Sequence, residues 1–246
     1  MNCAVIVQTC DKYERFWDGF FHFMEKQWGS DIKCPVFFCN EEKKIDLPRG
    51  FTQIRTGSGS FVQNLKATLD EINQEHIFYM LEDFWPTAPM SSVKFNALYE
   101  SFVKNEMDAL QVSTYTPYYK LTVDDMAVCG SKLLKFKADS EWIFNFQARF
   151  WKKELLSKCL REPSISESEV SSAITVEMES DECARREMKL KVWLHHYFWY
   201  PITGVAYRGN LTEIGKQMQN VVEIEKFVEE KFKLRCASDS QESDFQ

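Results

Sequence analysis

The sequence predicts an α/β protein in which helices flank a central, mostly parallel β-sheet. Short apolar runs typical of buried strands recur at residues 3–9, 33–39, 76–81 and 108–113. Between them lie segments whose apolar residues have helical spacing, at residues 11–28, 60–72 and 92–105. Strands that alternate with helices are joined by crossovers, which place successive strands parallel in one sheet. We therefore expect a single α/β domain with these four strands at its core.

The first elements have the clearest patterns. Residues 3–10, CAVIVQTC, form a near-continuous apolar run that ends in polar residues, as in a strand buried on both faces. Residues 11–28 carry aromatic side chains at helical spacing. Residues 33–40, KCPVFFCN, repeat the strand pattern, so a strand–helix–strand unit opens the chain.

The next helix and strand are followed by a pair of acidic residues. The helix at 60–72 begins with Ser60, a favoured N-cap residue. Its apolar residues fall on one face, at Val62, Leu65, Leu69 and Ile72. The strand at 76–81 is followed directly by two carboxylates, Glu82 and Asp83.

Shorter segments come after the two acids. Ser91 or Ser92 can cap the helix that follows them. Residues 117–146 mix short polar and aromatic stretches, which predicts antiparallel strands or loops. Residues 148–160 again have helical spacing. Residues 161–172 form a polar loop of the kind that carries function or disorder.

The last segments complete one domain. Residues 189–209 predict one or two strands with a turn, and residues 221–234 predict a charged helix. The domain is expected to span 1–235. Residues 236–246 are expected to be a disordered tail, because they are almost entirely polar.

Composition and charge narrow the functional classes. A chain of 246 residues can bury one sizeable core, and its aromatic share of 15% predicts aromatic walls around a polar ligand. The net charge of -7 argues against a protein that grips nucleic acid over a broad face. No stretch approaches a membrane span of about 20 apolar residues, and the N-terminus has no signal pattern. We expect a cytoplasmic protein without an obligate protein partner.

The eight cysteines are scattered and include no CxxC pair, the spacing that zinc sites usually show. Reduced thiols that serve as small hydrophobic residues are therefore expected. A bridge between Cys34 and Cys39 is the alternative.

The acids at 82 and 83 are the first candidate site. In an open α/β sheet, ligands bind beyond the carboxyl ends of the strands. Thr9 and Asp11 follow the first strand, so four polar groups converge if the first strand neighbours the strand at 76–81. Such oxygen ligands suit Mg²⁺ or Mn²⁺, which would hold a diphosphate. The alternative is that Glu82 and Asp83 only cap a turn or the next helix.

Five segments in a fixed order resemble the motifs of a known family. They are VIVQTCDKYERFWDGFF, SFVQNLKATLDEI, FYMLEDFW, FNFQARFWKKELL and YPITGVAYRGN, and the likeness covers about residues 4–215. Each motif alone is weak, and the shared order carries the resemblance. On this pattern, the chain resembles small bacterial and phage glycosyltransferase-like proteins with surface-polysaccharide functions and the GT-A fold.

The resemblance implies a nucleotide-sugar donor, with a UDP-sugar as the first expectation. Carried over by position, the residues near the base and ribose are Thr9, Asp11 and Tyr13. Those near the ribose and diphosphate are Ser60, Phe61 and Asn64. Family members tend to carry an Arg at the position of Asn64, so the diphosphate contact differs here.

The resemblance also implies a metal and an acceptor pocket. Glu82 and Asp83, in the LEDF motif, take the place of the Asp-x-Asp motif of GT-A enzymes and would hold Mn²⁺ or Mg²⁺. Gln147 and Trp151 would line the sugar or acceptor pocket.

A transfer that inverts the anomeric centre needs a carboxylate as general base. The candidates are Glu177 and Glu179, because ITVEME (174–179) best matches the family's late acidic segment, although it lacks that segment's Trp. On a strand the two would share a face, whereas on a helix they would lie about 200° apart. Glu177 is preferred, with Asp139 or Glu141 next in line.

The leading hypothesis is a glycosyltransferase that transfers a hexosyl or pentosyl group. The acceptor would be a surface glycan or lipopolysaccharide precursor or, for a phage protein in the host cytoplasm, a hydroxymethylated DNA base. A nucleotidyltransferase is the alternative enzyme, although QTCDKYER lacks the glycines that such a loop needs. A non-catalytic carbohydrate-binding or partner-binding relative is the alternative from another class.

Overall fold

The structure is a computed structural model that describes residues 1–112, 118–163, 173–195, 202–207 and 210–242. Its helices are α1 (Trp17–Gln27), α2 (Phe61–Glu71), α3 (Ser92–Lys104), α4 (Lys153–Cys159), α5 (Ala173–Glu182) and α6 (Glu213–Glu242). A 3₁₀ helix, Asp11–Phe16, precedes α1, and a π-helical turn, Cys183–Glu187, follows α5.

The strands of the first half are β1 (Cys3–Gln8), β2 (Val36–Asn40), β3 (Phe51–Arg55), β4 (His76–Leu81), β5 (Phe84–Pro86) and β6 (Ala109–Gln111). Those of the second half are β7 (Leu121–Val128), β8 (Ser131–Phe136), β9 (Arg149–Lys152), β10 (Val192–His195), β11 (Ile202–Gly204), β12 (Ala206–Tyr207) and β13 (Asn210–Leu211).

Nine of the described strands form one mixed sheet in the order β3-β2-β1-β4-β9-β6-β10-β8-β7. β1 lies between β2 and β4 and is parallel to both. β9 runs antiparallel between β4 and β6, and β8 is antiparallel to β10 and β7. The other seven strands therefore share one direction, and the fold class predicted from the sequence is confirmed. Two small sheets, β5 with β11 and β12 with β13, complete the described strands.

The core has two layers, one on each face of the sheet. On one face, α1 and α3 pack over Val5, Phe78 and Phe150. On the other face, α2, α4 and α5 pack over Ile6 and Trp151. Because the central strands are covered on both sides, their runs are apolar throughout rather than alternating.

One predicted helix is wrong at its start. Residues 148–160 were expected to be helical, but β9 occupies Arg149–Lys152 and α4 begins only at Lys153. The adjacent rings of Phe150 and Trp151 face opposite sides of the sheet and fill both core layers. A short apolar run of this kind fits a helix or a doubly buried strand equally well in sequence.

The C-terminal helix extends beyond the prediction. α6 reaches Glu242, and so enters the segment for which we expect a disordered tail; the division of the chain at residue 235 stays a prediction. Ion pairs from Glu225 to His22 and Lys26 hold α6 against α1. Most of the polar loop at 161–172 lies outside the described residues.

The seven cysteines described by the structure are free, and five of them are buried. Among the described helices, none combines the length and the hydrophobicity needed to cross a bilayer.

Helix α1 meets β5 through a close contact at Gly19. A Cβ atom at this position would lie 2.0 Å from the ring of Trp85, which is fully buried. We expect Gly19→Ala to lower the free energy of unfolding by about 2–3 kcal/mol, because the indole must move in a closely packed core. Urea unfolding followed by circular dichroism measures the change.

Gly204→Ala is the matched control for this contact. There the nearest atom to an added Cβ is on Phe84 at 3.7 Å, an ordinary van der Waals distance. We expect a change below about 1 kcal/mol. Equal stability of the Gly19→Ala and wild-type proteins would show that Trp85 is not held against α1.

Candidate active site

Three strand ends meet at the carboxyl edge of the sheet. In the register of the sheet, Gln8 of β1 pairs with Cys39 of β2 and with Leu81 of β4. The residues that follow these strands therefore emerge side by side. The first strand and the strand at 76–81 are thus neighbours in the sheet.

An open cavity of about 400 Å³ lies at this edge, between the ends of β1 and β2 and the start of α2. It is lined by Asp11, Glu41, Glu42, Ser58, Gly59, Ser60 and Gln63. These side chains offer carboxylate, hydroxyl and amide groups, and no Lys or Arg lines the cavity within the described part of the chain. The cavity therefore favours a ligand that donates hydrogen bonds over a ligand that carries negative charge.

Asp11 shapes the wall of this cavity. Its carboxylate accepts hydrogen bonds from the side chain of Asn40 at 2.7 Å and from the backbone N–H groups of Glu42 and Lys43, each at 2.9 Å. Burial tends to raise the pKa of Asp11, but these hydrogen bonds outweigh burial and hold it below its ordinary value. Asp11 thus organises the turn after β2, and most of its acceptor capacity is already used.

The start of α2 is also strongly organised. The Ser60 hydroxyl accepts from the backbone N–H of Gln63 at 3.1 Å, and the Gln63 side chain accepts from the backbone of Ser60 at 3.0 Å. This reciprocal pair is a capping box. The Ser60 hydroxyl also donates to Glu162 at 2.6 Å, so a carboxylate already lies at this helix N-terminus.

The neighbouring predicted donor residues face the protein interior. Asn64 is only 5% exposed, and its amide donates to the carbonyl of Gly59 at 3.2 Å. The ring of Phe61 packs on Phe146, with centroids 4.9 Å apart. Asn64 therefore supports the loop beside the cavity, and little of its surface is exposed.

The acid pair lies one strand away from the cavity. Glu82 is 3% exposed, and burial, followed by repulsion from Asp83, raises its pKa well above the ordinary value. Burial raises the pKa of Asp83 to about 6. Asp83 is partly exposed as a residue, yet its Oδ1 atom is buried and has no hydrogen-bond partner within the described parts of the chain.

Surrounding backbone and indole groups fix the position of the acid pair. The indole of Trp85 donates to the carbonyl of Glu82 at 3.1 Å, and the N–H of Val205 donates to the carbonyl of Asp83 at 2.8 Å. On the β1 side, the Trp17 indole donates to the Thr9 hydroxyl at 2.9 Å. The acids are thus held by rigid elements on both sides.

The acid pair fits a divalent cation that is completed by a ligand. Among the described residues, no group of three or more His, Cys, Asp or Glu side chains is arranged to hold a metal. Mg²⁺ commonly needs only one or two protein carboxylates, because phosphate oxygens and water supply its other ligands. The unpartnered Oδ1 of Asp83 is the atom that such an ion would satisfy.

The predicted base candidates lie on helix α5, so they are about 200° apart around its axis. Glu177 faces the segment before β9, where its carboxylate accepts from the N–H of Phe146 at 2.5 Å. Burial raises the pKa of Glu177 to about 7, although Arg149 opposes this, and Asp83 raises it further. The structure therefore brings Glu177 into the electrostatic environment of the acid pair.

Arg149 is a buried residue that sequence reasoning missed. It is 0% exposed, and its guanidinium donates to the carbonyl of Ile143 at 2.7 Å and to the side chains of Asn145 and Gln111. Burial lowers its pKa to about 10. The sequence around Arg149 does not predict these hydrogen bonds, because an arginine between aromatic residues can equally well lie on the surface.

The remaining predicted residues divide between surface and core. Tyr13 is half-buried under the Lys12 ammonium, which lies 5.2 Å from its ring centroid. Gln147 is half-buried, and its N–H donates to Asn145 at 3.1 Å. Trp151 is 0% exposed and packs on Phe144, so the structure does not bring it to the cavity.

Comparison with known proteins shows the fold. No protein-family model and no curated protein sequence matches this chain. An apo UDP-glucose pyrophosphorylase is 8% identical with a TM-score of 0.50, over 92% of this chain and 100% of that chain. This likeness shows a shared α/β architecture and, at such low identity, nothing more.

Two further structures give lower scores. S. aureus TarS 1-349 is 13% identical with a TM-score of 0.48, over 79% of this chain and 58% of that chain. The mannosyltransferase PcManGT from Pyrobaculum calidifontis, in complex with GDP-Man and Mn2+, is 11% identical with a TM-score of 0.49, over 85% and 58%. The chain thus spans less than two thirds of either protein.

Proposed function

We propose that the protein is a metal-assisted glycosyltransferase that moves a sugar from a nucleotide-sugar donor to an acceptor hydroxyl. The observation that carries the proposal is the acid pair, buried Glu82 and half-buried Asp83, near an open polar cavity at the carboxyl edge of the sheet. Glu177, a third carboxylate, faces the same region. The order of the sequence motifs supports the same function.

The donor is proposed to lie along this edge with its nucleoside in the cavity. The carboxylates of Glu41 and Glu42 and the hydroxyl of Ser58 accept hydrogen bonds from base N–H and ribose O–H groups. The diphosphate then points toward Glu82 and Asp83. A Mg²⁺ or Mn²⁺ ion held there would neutralise charge on the departing diphosphate.

Glu177 is proposed to act as the general base. It would accept the proton of the acceptor hydroxyl while the hydroxyl oxygen bonds to the anomeric carbon and the bond to the diphosphate oxygen breaks. The carboxylate must lie within about 3 Å of that hydroxyl. Such a transfer inverts the anomeric centre.

A glycan is the proposed acceptor. The net charge of -7 disfavours a duplex, whose phosphates need clustered cations. On β8, Lys132 lies 3.6 Å from Asp125 and Lys135 lies over the ring of Trp193, which leaves few free cations in this part of the surface. Recognition of a surface glycan or lipopolysaccharide precursor by a cytoplasmic transferase does not require clustered cations.

Isothermal titration with UDP and GDP, each with and without Mn²⁺, tests the proposed function. We expect one of the two nucleotides to bind with an affinity that Mn²⁺ increases at least about tenfold, since the ion bridges diphosphate and protein. Absence of any metal-dependent nucleotide affinity would favour the binding-only alternative. Release of pyrophosphate from a nucleoside triphosphate and a sugar phosphate would instead identify a nucleotidyltransferase.

A further inference from the structure

The proposed donor brings a charge problem to this edge of the sheet. A diphosphate would add negative charge beside Glu82, Asp83, Glu41 and Glu42. A divalent cation offsets only part of this charge. At least one cationic side chain should therefore contact the diphosphate.

The positions at which a cation is expected do not provide one. Among the residues that the structure describes, the cavity lining holds no Lys or Arg. Position 64 is a buried Asn bonded to Gly59, and the N-terminus of α2 already faces the carboxylate of Glu162. Arg149 is fully enclosed in the core and bonds to Ile143.

Lys12 occupies the gap between the cavity and the acid pair. It is the second residue of the 3₁₀ helix that begins at Asp11, which lines the cavity. This helix starts just after β1, whose last residue pairs with Leu81, the residue before Glu82. The turn that carries Lys12 therefore lies between the cavity wall at Asp11 and the strand end at Glu82.

The Lys12 side chain is available to a ligand. It is exposed and forms no salt bridge with any residue that the structure describes. Its ammonium lies over the ring of Tyr13, and this cation–π contact orients it without pairing it with a carboxylate. Burial raises the pKa of Glu82 and of the Cys10 thiol, and the charge of Lys12 opposes both shifts, in agreement with its place near both groups.

The turn that carries Lys12 is itself well fixed. The N–H of Asp11 donates to Glu41 at 2.9 Å, and the N–H of Tyr13 donates to the carbonyl of Cys10 at 2.9 Å. The Trp17 indole holds Thr9 from the other side. A lysine on such a turn is presented in a defined place.

We infer that Lys12 is the cation that binds the diphosphate of the donor. The inference rests on the proposed function. It assigns phosphate recognition to the turn after β1 and leaves Asn64 with a supporting role. The nucleoside contacts in the cavity would not depend on Lys12.

Titration of UDP, GDP and the matching nucleosides in the presence of Mn²⁺ tests this inference. Lys12→Met should weaken the diphosphate that the wild-type protein binds by about tenfold or more, and should change nucleoside affinity less than twofold. Lys12→Arg should restore most of the affinity. Lys104→Met is the matched control, because Lys104 is an exposed lysine on α3 near the opposite edge of the sheet.

Two failures are distinguishable. If the wild-type protein binds a diphosphate with Mn²⁺ and Lys12→Met binds it equally well, the role of Lys12 is overturned and the proposed function stands. If the wild-type protein binds neither diphosphate, the proposed function fails and the inference falls with it. Equal losses in Lys12→Met and Lys104→Met would reduce the effect to overall charge and would also overturn the inference.

Discussion

Asp83→Asn is expected to reduce sugar transfer at least about 100-fold while the protein stays folded. The amide keeps the shape of the side chain but removes the charge that would hold a divalent cation. Mn²⁺ should accordingly lose its effect on nucleotide affinity. Transfer assays and titrations with and without Mn²⁺ measure both effects.

The stability of this variant separates a functional role from a structural one. Burial of a carboxylate oxygen without a donor is unfavourable, so a neutral amide should leave the melting temperature at pH 8 unchanged or raise it by a few degrees. Asp70→Asn, at an exposed position on α2, is the control for the chemical change. Full transfer by Asp83→Asn, or a failure to fold, would contradict the assignment.

The sheet could be predicted from sequence because its central strands are buried on both faces. β1 and β4 have six consecutive residues each that lie almost entirely inside, and their apolar runs mark them clearly. Alternation with amphipathic helices then gives the parallel direction and the neighbouring strand ends. The acid pair after β4 could be found for the same reason, since two charges follow directly on a buried strand.

Other elements could not be predicted because their sequence signal is shared with another structure. β3, FTQIR, was missed because it is a short edge strand with partly exposed residues. The sequence of β9 predicts a helix instead, because its adjacent apolar residues do not alternate with polar ones. In the structure, Phe150 and Trp151 lie in opposite core layers, so both residues are apolar.

The detailed roles in the site depend on tertiary contacts that no local pattern contains. Asp11 follows a strand, as a ligand residue would, but the turn after β2 uses its carboxylate. Asn64 lies on a helix near the cavity, but its amide faces Gly59. The packing of α2 and of the β2–β3 connection decides whether the side chains of Asp11 and Asn64 can contact a ligand.

The largest effect on the chemical step is expected for Glu177→Gln, which should keep donor affinity and lose transfer. Gln retains an acceptor for the N–H of Phe146, so the segment before β9 should stay in place. It cannot accept a proton, so transfer should fall by about 100-fold or more. Nucleotide titration beside a transfer assay checks the two halves of the prediction.

Asp181→Asn is the control that distinguishes catalysis from support. Asp181 lies one turn after Glu177 on α5, and its carboxylate accepts from the N–H groups of Trp142 and Phe144. We expect this variant to keep transfer within about tenfold of wild type, because Asp181 binds backbone N–H groups and is not the proposed base. Equal losses of transfer in both variants would reduce Glu177 to a structural role. Normal transfer by Glu177→Gln would move the base to Asp139 or Glu141.

The pH dependence of both stability and transfer should change with Glu177. Its folded-state pKa of about 7 lies above its ordinary value of 4.5, mainly because of burial, with Arg149, Asp83 and Asp181 as the charged groups that act on it. The folded protein therefore binds this proton more tightly than the unfolded chain, and stability from this group is lost as the pH rises from about 4.5 to 7. Glu177→Gln should consequently be more stable than wild type at pH 8, by about 1–3 kcal/mol, with the difference shrinking toward pH 5.

Transfer should show the opposite dependence on the same proton. A general base works only when deprotonated, so wild-type kcat/KM should fall as the pH drops below about 7. Residual transfer by Glu177→Gln should lack this limb of the profile. If Glu177→Gln melts at the wild-type temperature at pH 8, the buried carboxylate of Glu177 does not destabilise the protein. If the variant also keeps the wild-type pH profile, Glu177 is not the group that accepts the proton.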